Sequence, residues 1–222
     1  MLNLAFVVIL SYLVGSIPTS IIVSKLVRGI DIRKHGSGNA GGSNVFRVLG
    51  WKFGILVILL DALKGALAVI VVARFYLDSF PFNNITPFDD FTLVQIICGV
   101  SAVIGHIWTV FAGFRGGKGI ATGLGVLIML VTIDMALALG IFFIVVGISR
   151  YISLGSLAAA VAVPLILIVR ENIFGVDIPG YHTVLPFCII LALIVIYTHR
   201  KNIDRLINGS ESKISFIKKK SN

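Results

Sequence analysis

Hydrophobic residues run through this chain in long blocks, and polar residues collect in a few islands between them. A membrane-spanning helix needs about 20 apolar residues, because each residue rises about 1.5 Å across a hydrocarbon core about 30 Å thick. Blocks of suitable length lie at about 3–24, 52–74, 92–112, 153–169 and 183–199. One more block, between Gly119 and Ser149, would be about 45 Å long as a single helix, well beyond the hydrocarbon thickness. Thr132 and Asp134 interrupt it midway, and a carboxylate in lipid is costly unless it faces protein or water. The block is therefore expected to form two short helices, near 120–132 and 134–149.

Composition supports a membrane assignment. Of 222 residues, 57% are hydrophobic and 13% charged, where a soluble domain carries about 25% charged residues. The start of the chain has no basic region before its apolar run, so it reads as a retained first span rather than a removed signal peptide. The net charge of +9 would suit nucleic acid, but the placement of the cations points elsewhere. Lys25, Arg28, Arg33, Lys34, Arg47 and Lys52 surround one polar island, Arg115 and Lys118 sit in another, and Arg200, Lys201, Arg205, Lys213, Lys218, Lys219 and Lys220 crowd the end. Cations concentrated in loops between apolar spans mark the cytoplasmic side and attract anionic lipid. The segment 74–91 instead carries Asp78, Asp89 and Asp90, as an outer loop does. If the second island and the basic end share a side, the chain crosses an even number of times between them. The expectation is an all-α polytopic membrane protein of seven transmembrane helices, N-terminus outside and C-terminus cytoplasmic. It forms a single membrane-embedded domain over 1–222 with a basic, flexible tail at 212–222.

Polar residues at membrane depth must line a cavity or one another, so function is sought in the islands. The first, RKHGSGNAGGSNVFR (33–47), contains Gly36-x-Gly38-x-x-Gly41, the spacing of the dinucleotide fingerprint. That fingerprint needs a preceding strand and a soluble βαβ unit; here an apolar helix precedes it. What carries over is the physics. Glycines let backbone approach an oxyanion, successive N–H groups form an anion nest, and a following helix N-terminus adds positive charge. Gly36 and Gly38 supply backbone, Ser37, Asn39, Ser43 and Asn44 neutral donors, and Arg47 a fork matched to phosphate. The second island, within 105–122, places Arg115-Gly116-Gly117-Lys118-Gly119 before a helix start at Ile120-Ala121-Thr122. It lacks P-loop spacing, which argues against NTP hydrolysis, and suggests a second phosphate cradle. A flexible loop and a helix linker are the plainer readings of these two islands.

The remaining candidates are less specific. His106 and His35 stay unassigned, since a lone histidine is more often packed than catalytic. Asp61 and Lys64, three apart, share a helix face and fit a structural pair shielded from lipid. His199, Asn202 and Arg205 share a face at spacings of three, while Asp204 points away. Cys98 and Cys188 lie in apolar runs as small core residues, and no spacing suits a metal. No nucleophile elbow appears, so no metal, cofactor or covalent nucleophile is expected. Two phosphate cradles beside apolar spans suggest two phosphate-bearing substrates, at least one lipid-soluble.

Taken together, the islands resemble the bacterial acyl-phosphate-dependent glycerol-3-phosphate acyltransferases, the PlsY family. The resemblance rests on Gly36-Ser37-Gly38-Asn39-x-Gly41 with Ser43-Asn44 and Arg47; on Gly105-His106; and on Phe114-x-Gly116-Gly117-Lys118-Gly119 with Ala121-Thr122. It continues through Ser153-Leu154-Gly155-Ser156 after Arg150, and through His199, Asn202, Arg205, Gly209 and Glu211. Gly42-Ser43, Thr109 and Arg115 depart from residues common in that family. The resemblance implies seven membrane helices and transfer of a fatty acyl group from acyl phosphate to the 1-hydroxyl of glycerol 3-phosphate. Lysophosphatidic acid and phosphate would be the products. It further implies a bacterial inner membrane location with a cytoplasmic site, and an indirect link to the enzyme that makes acyl phosphate. The catalytic residues so implied are Ser37, Arg47, Lys118, Ser153, His199 and Asn202. Gly36, Gly38, Asn39, Asn44, Gly116, Gly117, Gly119 and Arg205 would bind substrate phosphate. Either His199 or the donor's own phosphate takes the hydroxyl proton. A membrane transporter of phosphate esters or anions is the alternative, and polar residues gathered on one side argue against it.

Overall fold

The computed structural model describes residues 2–76, 86–211 and 213. Among them the chain is all helix and loop, as expected of a segment that must satisfy its backbone hydrogen bonds within lipid. Six stretches among the described residues are long and apolar enough to cross a membrane, and Ile120–Leu130 is a shorter apolar helix. Asp78 and most of the expected tail, including Lys218, Lys219 and Lys220, lie outside the described residues.

The chain divides into two compact units, 1–130 and 131–222. The first contains α1 (Leu2–Gly15), α2 (Thr19–Arg28), α3 (Gly42–Leu49), α4 (Trp51–Ile70), α5 (Asp90–Ile107) and α6 (Ile120–Leu130). Helix α1 packs along α5, and α4 along α6. Small residues set these distances: a Cβ on Gly125 would overlap the Ala62 carbonyl, so α4 and α6 meet backbone to backbone. Val7, Ala68, Val94, Cys98 and Ala102 fill one core, and Ile32, Val45 and Val57 fill another beneath the first island. Large apolar side chains such as Ile9 and Leu59 stay exposed, as lipid-facing positions do.

The second unit contains α7 (Thr132–Ser149), α8 (Ile152–Asn172), α9 (Tyr181–Thr198) and the short α10 (Arg200–Ile207). Helix α8 packs against both α7 and α9. Asp134 is buried and bonded to Arg170 at 2.7 Å, which meets the condition under which a carboxylate is tolerated at membrane depth.

Two expectations need correction. The block 3–24 is not one helix: α1 ends at Gly15 and α2 begins at Thr19. Pro18 has no N–H to continue the ladder, and the carbonyls freed at the break are taken by side chains. Thr109 Oγ1 donates to the Ser16 carbonyl, and Lys64 Nζ donates to that of Ile17 at 3.0 Å. Secondly, the long block does divide near Thr132, at Val131, but its two parts are unequal. Only α6, with 11 residues, is short; α7 has 18 and is long enough to cross.

Candidate phosphate-binding loops and a glutamate-centred cluster

The first island folds as a loop wound around one side chain. Asn44, at the start of α3, is 1% exposed. Its Oδ1 accepts the Ser37 N–H at 2.8 Å, and its Nδ2 donates to the carbonyls of Ile32, His35 and Asn39. Gly36 lies against it with φ of 61°, and a Cβ there would overlap Asn44 Oδ1. Asn44 was expected to bind substrate, but its amide is spent inside the loop and shapes it from within. Asn39 contributes its carbonyl to the same core. Ser37 and Gly38 remain exposed on the outside of the loop.

A clip fixes the entry to this loop. Asp31 accepts the Arg33 N–H and its guanidinium, with the ion pair at 2.8 Å. The side-chain hydrogen bonds from Arg33 hold the Asp31 carboxyl well below the usual range, at about 2. The pairing raises Arg33 in turn. Arg33 also donates through Nη1 to the Ala112 carbonyl at 2.7 Å, in the approach to the second island.

The second island turns back onto the end of α5. Gly116 N–H donates to the Ile107 carbonyl at 3.0 Å, and Gly117 N–H to the His106 carbonyl at 3.1 Å. A Cβ on Gly117 would overlap both His106 Nε2 and the Ala40 carbonyl. The two glycine islands are thus in direct contact within the first unit, where sequence spacing suggested separate cradles. Gly119, with φ of 76°, ends the loop and its carbonyl accepts the N–H of Gly123 in α6. Arg47, Arg115 and Lys118 are exposed, and none bonds to a carboxylate among the described residues.

In the second unit the expected residues gather on a carboxylate. Glu211 Oε1 accepts from Ser153 Oγ and from Asn202 Nδ2, both at 2.9 Å, and Oε2 accepts from Arg205 Nε at 2.6 Å. The Asn202 amide foremost, with Arg205 and Ser153, holds the Glu211 carboxyl below the usual range. Arg205 was expected to meet phosphate, yet the structure places its Nε on Glu211. His199 stands outside this cluster, at the one-residue break between α9 and α10. Its Nδ1 lies 2.9 Å from the Val195 carbonyl. A carbonyl only accepts, so Nδ1 carries a proton, and in the neutral imidazole Nε2 is the nitrogen with the free lone pair. Sequence spacing gave Glu211 no role as a hub: the resemblance named it, but the basic end carries two carboxylates, Asp204 and Glu211, and spacing alone does not choose between them.

Residues 5–209 match the model of the family described as glycerol-3-phosphate acyltransferase. A protein of that description from Chlorobaculum tepidum is 46% identical over 99% of this chain and 100% of its own length. A crystal structure of PlsY (YgiH), an integral membrane glycerol 3-phosphate acyltransferase in its glycerol 3-phosphate form, is 37% identical. It covers 96% of both chains with a TM-score of 0.69. Its lysophosphatidic acid form is 36% identical with the same TM-score, covering 96% of this chain and 95% of that one.

Proposed function

Since the chain belongs to the glycerol-3-phosphate acyltransferase family, we propose that it moves a fatty acyl group from acyl phosphate to the 1-hydroxyl of glycerol 3-phosphate. The oxygen–acyl bond forms as the bond to phosphate breaks, giving lysophosphatidic acid and inorganic phosphate. An acyl phosphate is a mixed anhydride whose leaving group is already good, so the reaction needs no acyl-enzyme. The protein's task is to hold two phosphates, align the hydroxyl and stabilise the carbonyl oxyanion.

The observation that carries this reading is the pair of touching glycine loops with three exposed cations and no carboxylate partner for any of them among the described residues. Arg47 and Lys118 bind phosphate in this account, and the backbones of Gly36, Gly38, Gly116, Gly117 and Gly119 line the cradle. Ser37, Ser153 and Asn202 fix substrate oxygens or the oxyanion, with Ser153 and Asn202 held in place by Glu211. Arg205 belongs with that support. His199 Nε2 or the donor's phosphate accepts the hydroxyl proton, and His199→Ala separates the two: near-full turnover at saturating substrates removes the histidine as essential base.

We place the N-terminus outside and the active site on the cytoplasmic side of a bacterial inner membrane, on the strength of the cations around the islands. The test uses purified protein in lipid with palmitoyl phosphate and labelled glycerol 3-phosphate, palmitoyl-CoA serving as a parallel donor. Labelled lysophosphatidic acid equimolar with phosphate, from acyl phosphate alone, is the expected result. Uptake of label into vesicles with no covalent product would instead support the transporter reading.

A further inference from the structure

Behind the second glycine loop lies a polar cluster that the proposed chemistry does not use. Asp61, in the middle of α4, is 1% exposed, Lys64 5% and His106 6%. Asp61 Oδ1 accepts from Thr19 Oγ1 at 2.6 Å and from Lys64 Nζ at 2.9 Å, and lies 3.4 Å from His106 Nδ1. A cavity of about 10 Å³ between Lys64, His106, Thr109 and Gly117 has room for about one water, too little for a phosphate group. The cluster is therefore no substrate site. Its contacts point to the loop instead. With Nδ1 toward Asp61, the other edge of the His106 ring lies under Gly117, in the space a Cβ would fill. The His106 carbonyl receives the Gly117 N–H at 3.1 Å. Lys64 and Thr109 hold the two unwound carbonyls of the broken first helix, and Tyr12 donates to the Trp108 carbonyl at 2.6 Å.

We propose that Asp61 is a positioning residue for the Gly116–Gly119 loop. Its carboxylate fixes the His106 ring, and the ring sets the height and orientation of the loop backbone that meets phosphate. Lys64 and Thr19 have two roles: they neutralise and orient Asp61, and they tie it to the Ser16–Pro18 break, so that loop and helix break form one rigid seat. A seat of this kind acts through backbone geometry and touches no substrate itself.

This inference rests on the reading of Gly116–Gly119 as a phosphate cradle, and wild-type turnover in the same preparation tests that reading separately. Asp61→Asn alone would leave Lys64 as an unpaired buried cation, so the charge-neutral Asp61→Asn/Lys64→Gln variant is the stronger test. It is expected to raise KM for one of the two phosphate substrates by tenfold or more. KM for the other should stay within twofold and kcat within threefold. Thr19→Val, similar in shape, removes one donor to Asp61 and is expected to raise the same KM about threefold with the fold retained at a modestly lower Tm; it decides the matter if the double variant does not fold. Both KM values within twofold of wild type in a folded variant, or a loss of kcat with neither KM changed, overturns the proposal. Absent wild-type turnover would overturn the cradle reading itself.

Discussion

The glycine loops of the first unit and the Glu211 cluster of the second use similar residues to opposite ends. In the loops, the carboxylate at hand, Asp31, is matched to Arg33, and Arg47, Arg115 and Lys118 project without an acidic partner among the described residues. In the cluster, a single carboxylate draws in Ser153, Asn202 and Arg205 together. An arginine with no counter-ion keeps its fork open for a phosphate, whereas one already bonded to a carboxylate has given part of that fork to holding the fold. The contrast teaches that an arginine's presence in a polar island does not tell binding from support; whether a carboxylate already holds its fork does.

Arg47→Ala should break the comparison most severely. Loss of the fork is expected to lower kcat/KM about 10³-fold, roughly 4 kcal/mol, with Tm nearly unchanged. Arg47→Lys restores a point charge without the fork and should remain at least about tenfold below wild type. Steady-state kinetics beside a melting curve checks both.

Glu211→Gln should have the reverse signature. Two of its donors keep a neutral acceptor, but Arg205 loses its anion, so Tm falls by several degrees along with activity. A variant with wild-type Tm and no activity would instead make Glu211 a participant in chemistry. Gly36→Ala comes next: its φ of 61° and the overlap with Asn44 Oδ1 should cost about 1–3 kcal/mol and loosen the first loop.

The smallest effect concerns acid. Asp31 and Glu211 both have depressed carboxyls, so each stabilises the folded state above its unfolded pKa and loses that contribution as pH falls. For Asp31 the loss runs from near 3.8 down through about 2, and for a partly exposed pair it amounts to no more than about 1 kcal/mol. Stability between pH 5 and 8 should therefore be insensitive to Asp31→Asn beyond a constant offset, with the difference from wild type closing only in the acid range.

Much of the fold is legible in the sequence because lipid demands long apolar runs, and 51–75, 90–107, 152–172 and 181–198 are such runs. The Asp61–Lys64 pair is legible too, since spacing by three fixes a shared helix face. The break at Ser16–Pro18 is not, because its few polar residues are averaged away inside an apolar window. Its stabilisers, Lys64 and Thr109, lie 47 and 93 residues away along the chain. Asn44 illustrates the same limit at the site. Its type and place fit a phosphate donor, and only the fold shows four backbone partners already bound to it. His106 is packed, as a lone histidine more often is, but its relation to Asp61 and Gly117 depends on three separate elements and so is not legible from spacing.

The measurement that tests this account most directly is an equilibrium titration of purified protein in lipid nanodiscs. The ligands are glycerol 3-phosphate and a non-hydrolysable acyl phosphonate, and Arg47→Ala is compared with Arg205→Ala. The account predicts that Arg47→Ala weakens at least one ligand about 100-fold at unchanged Tm, while Arg205→Ala lowers Tm and shifts neither affinity more than about threefold. Equal loss of affinity in the two variants, or full affinity in Arg47→Ala, would contradict it.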